Sequence, residues 1–239
     1  MMSIILHYIY YKLIGMKNTT IKYLGMIMLS VFCLLSCGKS SDNTPDPEEQ
    51  VPPAATWQEN WFEHVQLLKL QYYNNYVAVY YDDDMQTDIV WPRGIATDVW
   101  KYTWDTYGGF GEDMRLKVIL HADKYSGGHP AYYVDPSHGF NNVVDIGLAG
   151  NRWKDSVGQP LDILVHEIGH IVEGNSHATL NSPAFAVWGD SKWMEIYQYD
   201  IYKNLGWIEK ADSWHNRMLA VADDFPREQT HWYRDWFYP

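Results

Sequence analysis

Two histidines and the glutamate between them are the residues of this sequence best suited to chemistry: His166, Glu167 and His170, in the run HEIGH. An α-helix repeats every ~3.6 residues, so His166 and His170 should project from the same face, one turn apart. Two imidazoles in that relation can bind one zinc ion, with Glu167 as a general base beside the open coordination position. The same pattern also occurs by chance on ordinary helices, so the flanking residues decide how strongly it predicts a metal site.

Those flanking residues predict an amphipathic helix. Apolar residues recur beside the histidines at helical spacing: Leu161, Val165, Ile168 and Val172. Pro160 suits a first helical turn, and Gly174 with Asn175 supplies a stop signal. One face of this helix would be buried and another would open to a cleft, which favours a metal site over two surface histidines.

Composition limits the partners and the ligands. The chain has 239 residues, a formal net charge of −12 and 16% aromatic residues, with 12 Trp and 19 Tyr. Nucleic acid would repel this charge and no basic stripe offsets it, so we expect no nucleic-acid partner. Cys33 and Cys37 both lie in one apolar segment near the start, so any zinc in the body of the chain must be held by histidine and carboxylate. The aromatic surplus indicates either a thick core or an aromatic-lined groove.

Residues 1–36 resemble the signal peptide of bacterial lipoproteins. A basic region beginning at Met16, which offers a better start than Met1, precedes an apolar run too short for a comfortable membrane span. Residues 34–38 (LLSCG) resemble the lipobox of that family, in which the signal is cut before the cysteine, so the resemblance implies lipidation of Cys37. The resemblance implies a lipid anchor in the outer membrane or on the cell surface of a Gram-negative bacterium.

The rest of the chain divides into a tether and a domain. Residues 37–55 are rich in Ser, Pro and acid with little to bury, which predicts a disordered tether. Residues 56–239 are expected to form one catalytic domain, and the protein is expected to be a monomer. The aromatic end at 237–239 is unusual for a solvated tail and suggests that the C-terminus is truncated.

Local patterns predict the order of elements within the domain. Thr56 with Glu59 makes a capping box, which predicts a helix to about Tyr72. Further patterns predict strands at 76–81, 116–121, 131–134 and 142–148, and helices after Pro92 and from Asp190 to Gly206. The strand at 116–121 should be central. The acidic run 82–84 is interpreted as a solvated turn. Three histidines without a nearby partner are interpreted as ordinary core or surface residues: His121, His129 and His138.

This order of elements resembles the zincin metallopeptidases, mainly over Leu161 to Gly206. The resemblance implies an α+β fold in which a twisted mixed sheet packs on the HExxH helix and a helical C-terminal subdomain completes the cleft. More narrowly, the chain resembles the zinc-binding metallopeptidase lipoproteins of Gram-negative bacteria. This resemblance implies a zinc-dependent hydrolase that cleaves a protein or peptide substrate.

Catalytic zinc needs a third protein ligand, and the sequence offers two main candidates. His177, with Gly174, resembles the metzincin pattern HExxHxxGxxH but has one inserted residue before the glycine. Glu195 lies in the strong helix after the motif, where gluzincins carry a glutamate ligand. We favour Glu195, retain His177 as the alternative, and rank Glu173 and Asp190 below both.

The expected mechanism uses zinc-activated water, with Glu167 as the general base that passes the proton to the leaving amine. Four residues are candidate donors to the oxyanion: Tyr197, Tyr199, His215 and His231. Asp190 or Asp200 could orient a ligand histidine. Two other functions stay open: an aromatic-rich surface lipoprotein that binds glycan or peptide and has a structural or vestigial metal site, and a metal-dependent hydrolase of another bond.

Overall fold

The computed structural model describes residues 51–62, 64–150, 152–175 and 192–224. Over these residues the chain forms a mixed six-stranded sheet and four α-helices, so the predicted α+β class is confirmed. The signal peptide, Cys37 and the tether up to residue 50 lie outside the described residues. No helix within the described ranges is long and apolar enough to cross a membrane.

The sheet has the strand order β1-β2-β3-β4-β6-β5. Its strands are β1 Thr56–Gln58, β2 Leu67–Tyr73, β3 Val77–Tyr81, β4 Leu116–His121, β5 Gly127–Ala131 and β6 Val143–Gly147. The three inner strands β3, β4 and β6 are parallel, and the flanking strands pair antiparallel. Parallel strands are buried on both faces, which explains the nearly continuous apolar runs of β3 and β4. The predicted central strand at 116–121 is confirmed.

Four helices complete the fold: α1 Trp91–Tyr107, α2 Gln159–Asn175, α3 Lys192–Asn204 and α4 Ile208–Asp224. Two short 3-10 turns, Pro136–His138 and Arg152–Lys154, lie in the connections. The predicted motif helix is confirmed as α2, and all four residues of its apolar stripe are buried. Gly169 allows α2 to approach α3 closely, because a Cβ there would lie 2.7 Å from the sulfur of Met194 and from Cδ1 of Tyr197.

The two faces of the sheet carry separate clusters. Val118 and Leu120 of β4 belong to the large core that includes Val165 and Ile168 of α2. Ile119 belongs to a smaller core on the other face, with Trp57 and Trp61 packed against it. Successive side chains of a strand point to opposite faces, so His121 lies with Ile119 on the face away from α2.

The predicted helix at 56–72 is wrong. The segment forms β1, a connection at residues 59–66, and β2. Leu68 of β2 is buried between the exposed Leu67 and Lys69, and the strand pairs with the buried β3. Pairing with a sheet assembled from distant residues therefore outweighs the local capping signal.

Two smaller interpretations also change. The run 82–84 is a turn, but Asp82 is only 5% exposed and accepts hydrogen bonds from the backbone N–H groups of Asp84 and Met85. The strand predicted at 131–134 lies earlier, as β5. At the start of the domain, the carbonyls of Ala54 and Ala55 accept hydrogen bonds from Tyr80 and Leu70.

Candidate metal centre

Helix α2 brings the three motif residues together. One ligand atom from each of His166, Glu167 and His170 lies within 4.8 Å of the other two. The two imidazole rings are 4.9 Å apart between centroids and meet edge to face. Both histidines are partly exposed, whereas Glu167 is only 5% exposed. This donor set, two imidazoles with one carboxylate beside them, is chemically suited to a zinc-type dication.

Glu167 is held against the edge of the sheet. A Cβ added to Gly128 of β5 would lie 1.9 Å from Cδ of Glu167, well inside van der Waals contact. Helix α2 packs on β5 and β6, so the carboxyl group lies directly over the glycine backbone. Only glycine leaves room for this arrangement, and the strand therefore restricts where the Glu167 carboxylate can lie.

Glu173 faces His170 from the next turn of α2. Its Oε2 lies 3.5 Å from Nδ1 of His170. A carboxylate this close favours the tautomer of the imidazole that carries its proton on Nδ1. The contact therefore suits Glu173 to orienting His170, with Nε2 left for a metal.

A cavity opens beside the motif. It has a volume of about 680 Å³ and is lined by Gly158, Gln159, Asp162, Ile163, His166, Glu167, Gln198, Lys210, Trp214 and Arg217. Lys210 contacts the carboxylate of Asp162 at 2.7 Å, and the guanidinium of Arg217 lies 5.3 Å from the ring centre of Trp214. The volume is in the range of small-molecule and peptide side-chain pockets. Helix α4 thus contributes Lys210, Trp214 and Arg217 to the lining of a cavity that His166 and Glu167 also line.

The third-ligand candidates do not all lie in the described part of the chain. The carboxylate of Glu195 is not among the ligand atoms within 4.8 Å of one another, and the backbone carbonyl of Glu195 accepts a hydrogen bond from Trp214. His177 and Asp190 lie outside the described residues. Both Glu195 and His177 therefore stay predictions.

The candidate helper residues have different surroundings. Tyr197 is fully buried and its hydroxyl lies 2.5 Å from that of Thr103, so it belongs to the core, where burial raises the pKa of its phenol. Tyr199 and His215 have rings 5.4 Å apart, and His231 is outside the described residues. Asp200 accepts hydrogen bonds from the hydroxyls of two tyrosines, Tyr102 and Tyr107, which gives it a structural role between α1 and α3.

A second group of potential metal ligands lies on the opposite face of the sheet. It contains Glu59, His64, His121 and Asp145, all buried, with one ligand atom of each within 4.8 Å of the others. The interpretation of His121 as an ordinary histidine missed this group, which could hold a metal ion. One signal was available: a charged residue within the buried strand VVDIG needs a partner.

Carboxylates dominate the electrostatics of this second group. Burial acts to lower the pKa of His121, but the surrounding carboxylates of Asp145, Asp82 and Glu59 outweigh it and raise the pKa to about 11. A group of negative charges this strong attracts cations.

Comparison with known proteins leaves the chain without an assigned family. No family model matches it, and no curated protein matches it either. Its function must therefore be argued from the two groups of side chains and the cavity.

Proposed function

We propose that the protein is a zinc-dependent metallopeptidase in which His166 and His170 hold the metal and Glu167 acts as the general base. The observation that carries the proposal is the position of Glu167. Its carboxylate lies over Gly128, and one carboxylate oxygen is within 4.8 Å of a ligand atom of each histidine. Glu167 also lines the cavity. A zinc ion held there would supply a Lewis acid that activates water and polarises a carbonyl.

The chain's own residues have distinct tasks in this proposal. Glu167 takes a proton from water and returns it to the amine nitrogen of the departing peptide. Gly128 keeps the carboxylate in one position, and Glu173 orients His170 through Nδ1. Lys210 is paired with Asp162, so Arg217 is the cationic lining residue that would favour substrates with acidic groups near the cleaved bond.

A zincin-like arrangement is part of the proposal. The mixed sheet packs against the motif helix α2, and its outermost strand on that side, β5, is antiparallel. Helices α3 and α4 follow α2 in the chain. Among the described strands β5 is one of the two edge strands of the sheet, so an extended peptide could pair with it beside Glu167. Glu195 remains the favoured third ligand, with His177 as the alternative.

The cell-envelope location is likewise proposed, from the sequence. The lipobox-like residues 34–38 support lipidation at Cys37, with the folded domain tethered to the outer membrane or cell surface of a Gram-negative bacterium. The negative net charge of the chain argues against a nucleic-acid partner. We propose that the protein is a monomer that acts on a protein or peptide.

The alternative, an aromatic-rich binding lipoprotein, has less support. Many of the largest aromatic side chains are fully buried, namely Trp100, Trp153, Tyr80, Tyr81, Tyr197, Tyr202 and Phe110. The aromatic surplus thus contributes to the core, and a stacking groove for sugars has no comparable support among the described residues.

The test is cleavage of casein and a peptide library by the full-length protein, with and without a zinc chelator. Glu167→Gln keeps the size of the side chain but removes the base, so kcat should fall by about 10²- to 10⁴-fold while zinc stays bound. Glu112→Gln changes an exposed glutamate and serves as the matched control. Equal turnover by Glu167→Gln and the control would refute the proposal, as would cleavage that the chelator does not affect.

A further inference from the structure

The second group of ligands is assembled from three separate parts of the chain. His121 ends β4 and Asp145 lies in the middle of β6, two strands that pair directly. Glu59 and His64 come from the connection between β1 and β2. The connection crosses the face of the sheet away from α2, so this group is separate from the motif histidines.

Side-chain atoms converge at the centre of the group at close range. Nε2 of His121 lies 2.8 Å from Oε1 of Glu59 and 3.1 Å from Oδ1 of Asp145. The other carboxylate oxygen of Asp145 lies 3.2 Å from Nδ1 of His64. The side chains of His121, Glu59 and Asp145 are 0% exposed and that of His64 is 5% exposed, so water has no access to them.

Three of these atoms form no hydrogen bond of good geometry, although the nitrogen lies within ion-pair distance of both oxygens: Nε2 of His121, Oε1 of Glu59 and Oδ1 of Asp145. Each belongs to a side chain whose other polar atom is engaged. Oε2 of Glu59 accepts from the backbone N–H of Gln66, and Oδ2 of Asp145 contacts His64. Buried polar atoms normally form well-aligned hydrogen bonds, so three buried ligand atoms that face one another without them are suited to a shared ligand such as a metal ion.

A fourth carboxylate contact fixes the imidazole of His121. Oδ2 of Asp82 lies 2.8 Å from Nδ1 of His121, and Oδ1 of Asp82 is held by two backbone N–H groups. A carboxylate on one ring nitrogen with the other nitrogen directed at a common centre is the arrangement that orients histidine ligands in metal sites.

The charge of the group is compatible with a bound divalent cation. Glu59, Asp82 and Asp145 bring three carboxylates, and His64 and His121 can carry at most two positive charges between them. A divalent metal ion bound to the neutral imidazoles would offset the carboxylates to the same extent as two protonated imidazoles, so the buried charge is compatible with a metal ion in place of two protons.

We propose that Glu59, His64, His121 and Asp145 bind a second divalent metal ion of the zinc class, with a structural role. Two imidazoles among the ligands disfavour calcium and magnesium, which prefer all-oxygen coordination. Four protein ligands in a closed, buried site match structural rather than catalytic zinc. The ion would fasten the β1–β2 connection to β4 and β6, independently of the activity proposed for α2.

The first test is zinc content of the full-length protein by elemental analysis after dialysis. We expect about two zinc ions per chain in the wild type and about one in a His166→Ala/His170→Ala variant, because the second site keeps its metal. A His121→Ala variant should also bind about one. His138→Ala removes another buried histidine that is not a ligand, and it should keep both ions.

Loss of all zinc in the His166→Ala/His170→Ala variant would overturn the second site, as would unchanged zinc content in folded His121→Ala. If His121→Ala does not fold, Asp82→Asn replaces it, since this change keeps the shape and weakens only the orientation of His121. We expect it to lower zinc affinity of the His166→Ala/His170→Ala background by about 10- to 100-fold, and unchanged affinity would contradict the proposal. A wild-type protein that binds about one zinc ion and retains peptidase activity would refute the proposed second site and leave the proposed function intact.

Discussion

Gly128 offers the sharpest test of how the fold positions Glu167. In a Gly128→Ala variant the new methyl group would lie 1.9 Å from Cδ of Glu167, whereas ordinary van der Waals contact begins at 3.4 Å. The difference of about 1.5 Å must be absorbed by moving the carboxyl group, the helix or the strand. Overpacking of this kind costs about 1–3 kcal/mol.

The effect on catalysis should exceed the effect on stability. Because a misplacement of about 1 Å can lower a rate by about 10²-fold, we expect kcat/KM on a peptide substrate to fall by roughly that factor or more. Zinc content should stay unchanged, because the three atoms nearest to the added Cβ all belong to Glu167 and not to His166 or His170. Stopped or continuous peptide assays, elemental analysis and urea denaturation measure the three quantities.

Gly94→Ala is the matched control. A Cβ at Gly94 meets nothing within 4 Å and the residue lies within helix α1, so alanine there should leave activity unchanged. It should also raise the free energy of unfolding slightly, by about 0.5–1 kcal/mol. A Gly128→Ala protein with the activity and stability of this control would refute the assignment of Gly128 as the support of Glu167.

Three further predictions follow from contacts described above. Gly169→Ala should lower the free energy of unfolding by about 1–3 kcal/mol in urea titrations, because the Cβ would lie 2.7 Å from Cδ1 of Tyr197; unchanged stability would show that α2 and α3 can separate freely. Asp200→Ala should lower the free energy of unfolding by about 1–3 kcal/mol, because the hydroxyls of Tyr102 and Tyr107 lose their acceptor. Asp200→Asn keeps an acceptor oxygen and should recover part of that free energy. Equal losses in the two variants would contradict a stabilising role of these hydrogen bonds. Chelator should lower the melting temperature of the wild type, and excess zinc should restore it; a melting curve unaffected by chelator would contradict any structural metal.

Strong local patterns made part of the fold predictable. The motif helix and strand β4 were predicted correctly because their apolar residues recur at the helical period or form an uninterrupted buried run. The segment at 56–72 was not, because Thr56 and Glu59 satisfy a local capping rule while the pairing of Leu68 depends on β3. Local rules cannot weigh a pairing partner that the sequence does not identify.

The same limit explains why one site was visible in the sequence and the other was not. His166, Glu167 and His170 are neighbours on one helix, so their spacing carries the information. Glu59 and Asp145 are brought together only when β1, β4 and β6 have assembled, and no spacing rule connects them. The spacing of the motif does not identify the proposed third ligand, Glu195 or His177, for the same reason: both residues lie beyond the end of α2.

Strand β5 limits the changes of chain length that the protein can tolerate. Its consecutive residues serve opposite faces: Gly128 lies under Glu167, while the ring of His129 lies 5.2 Å from that of His64. A shift of β5 by one residue would exchange these faces, and a shift in the direction that moves His129 into the position of Gly128 would place an imidazole where only glycine fits. Deletion of a single residue between β4 and β5 is therefore expected to damage both faces at once unless the loop absorbs it, whereas an insertion would place Gly127 under Glu167. The spacing from His121 to Gly128 thus acts as a constraint on the length of the chain as well as on its composition.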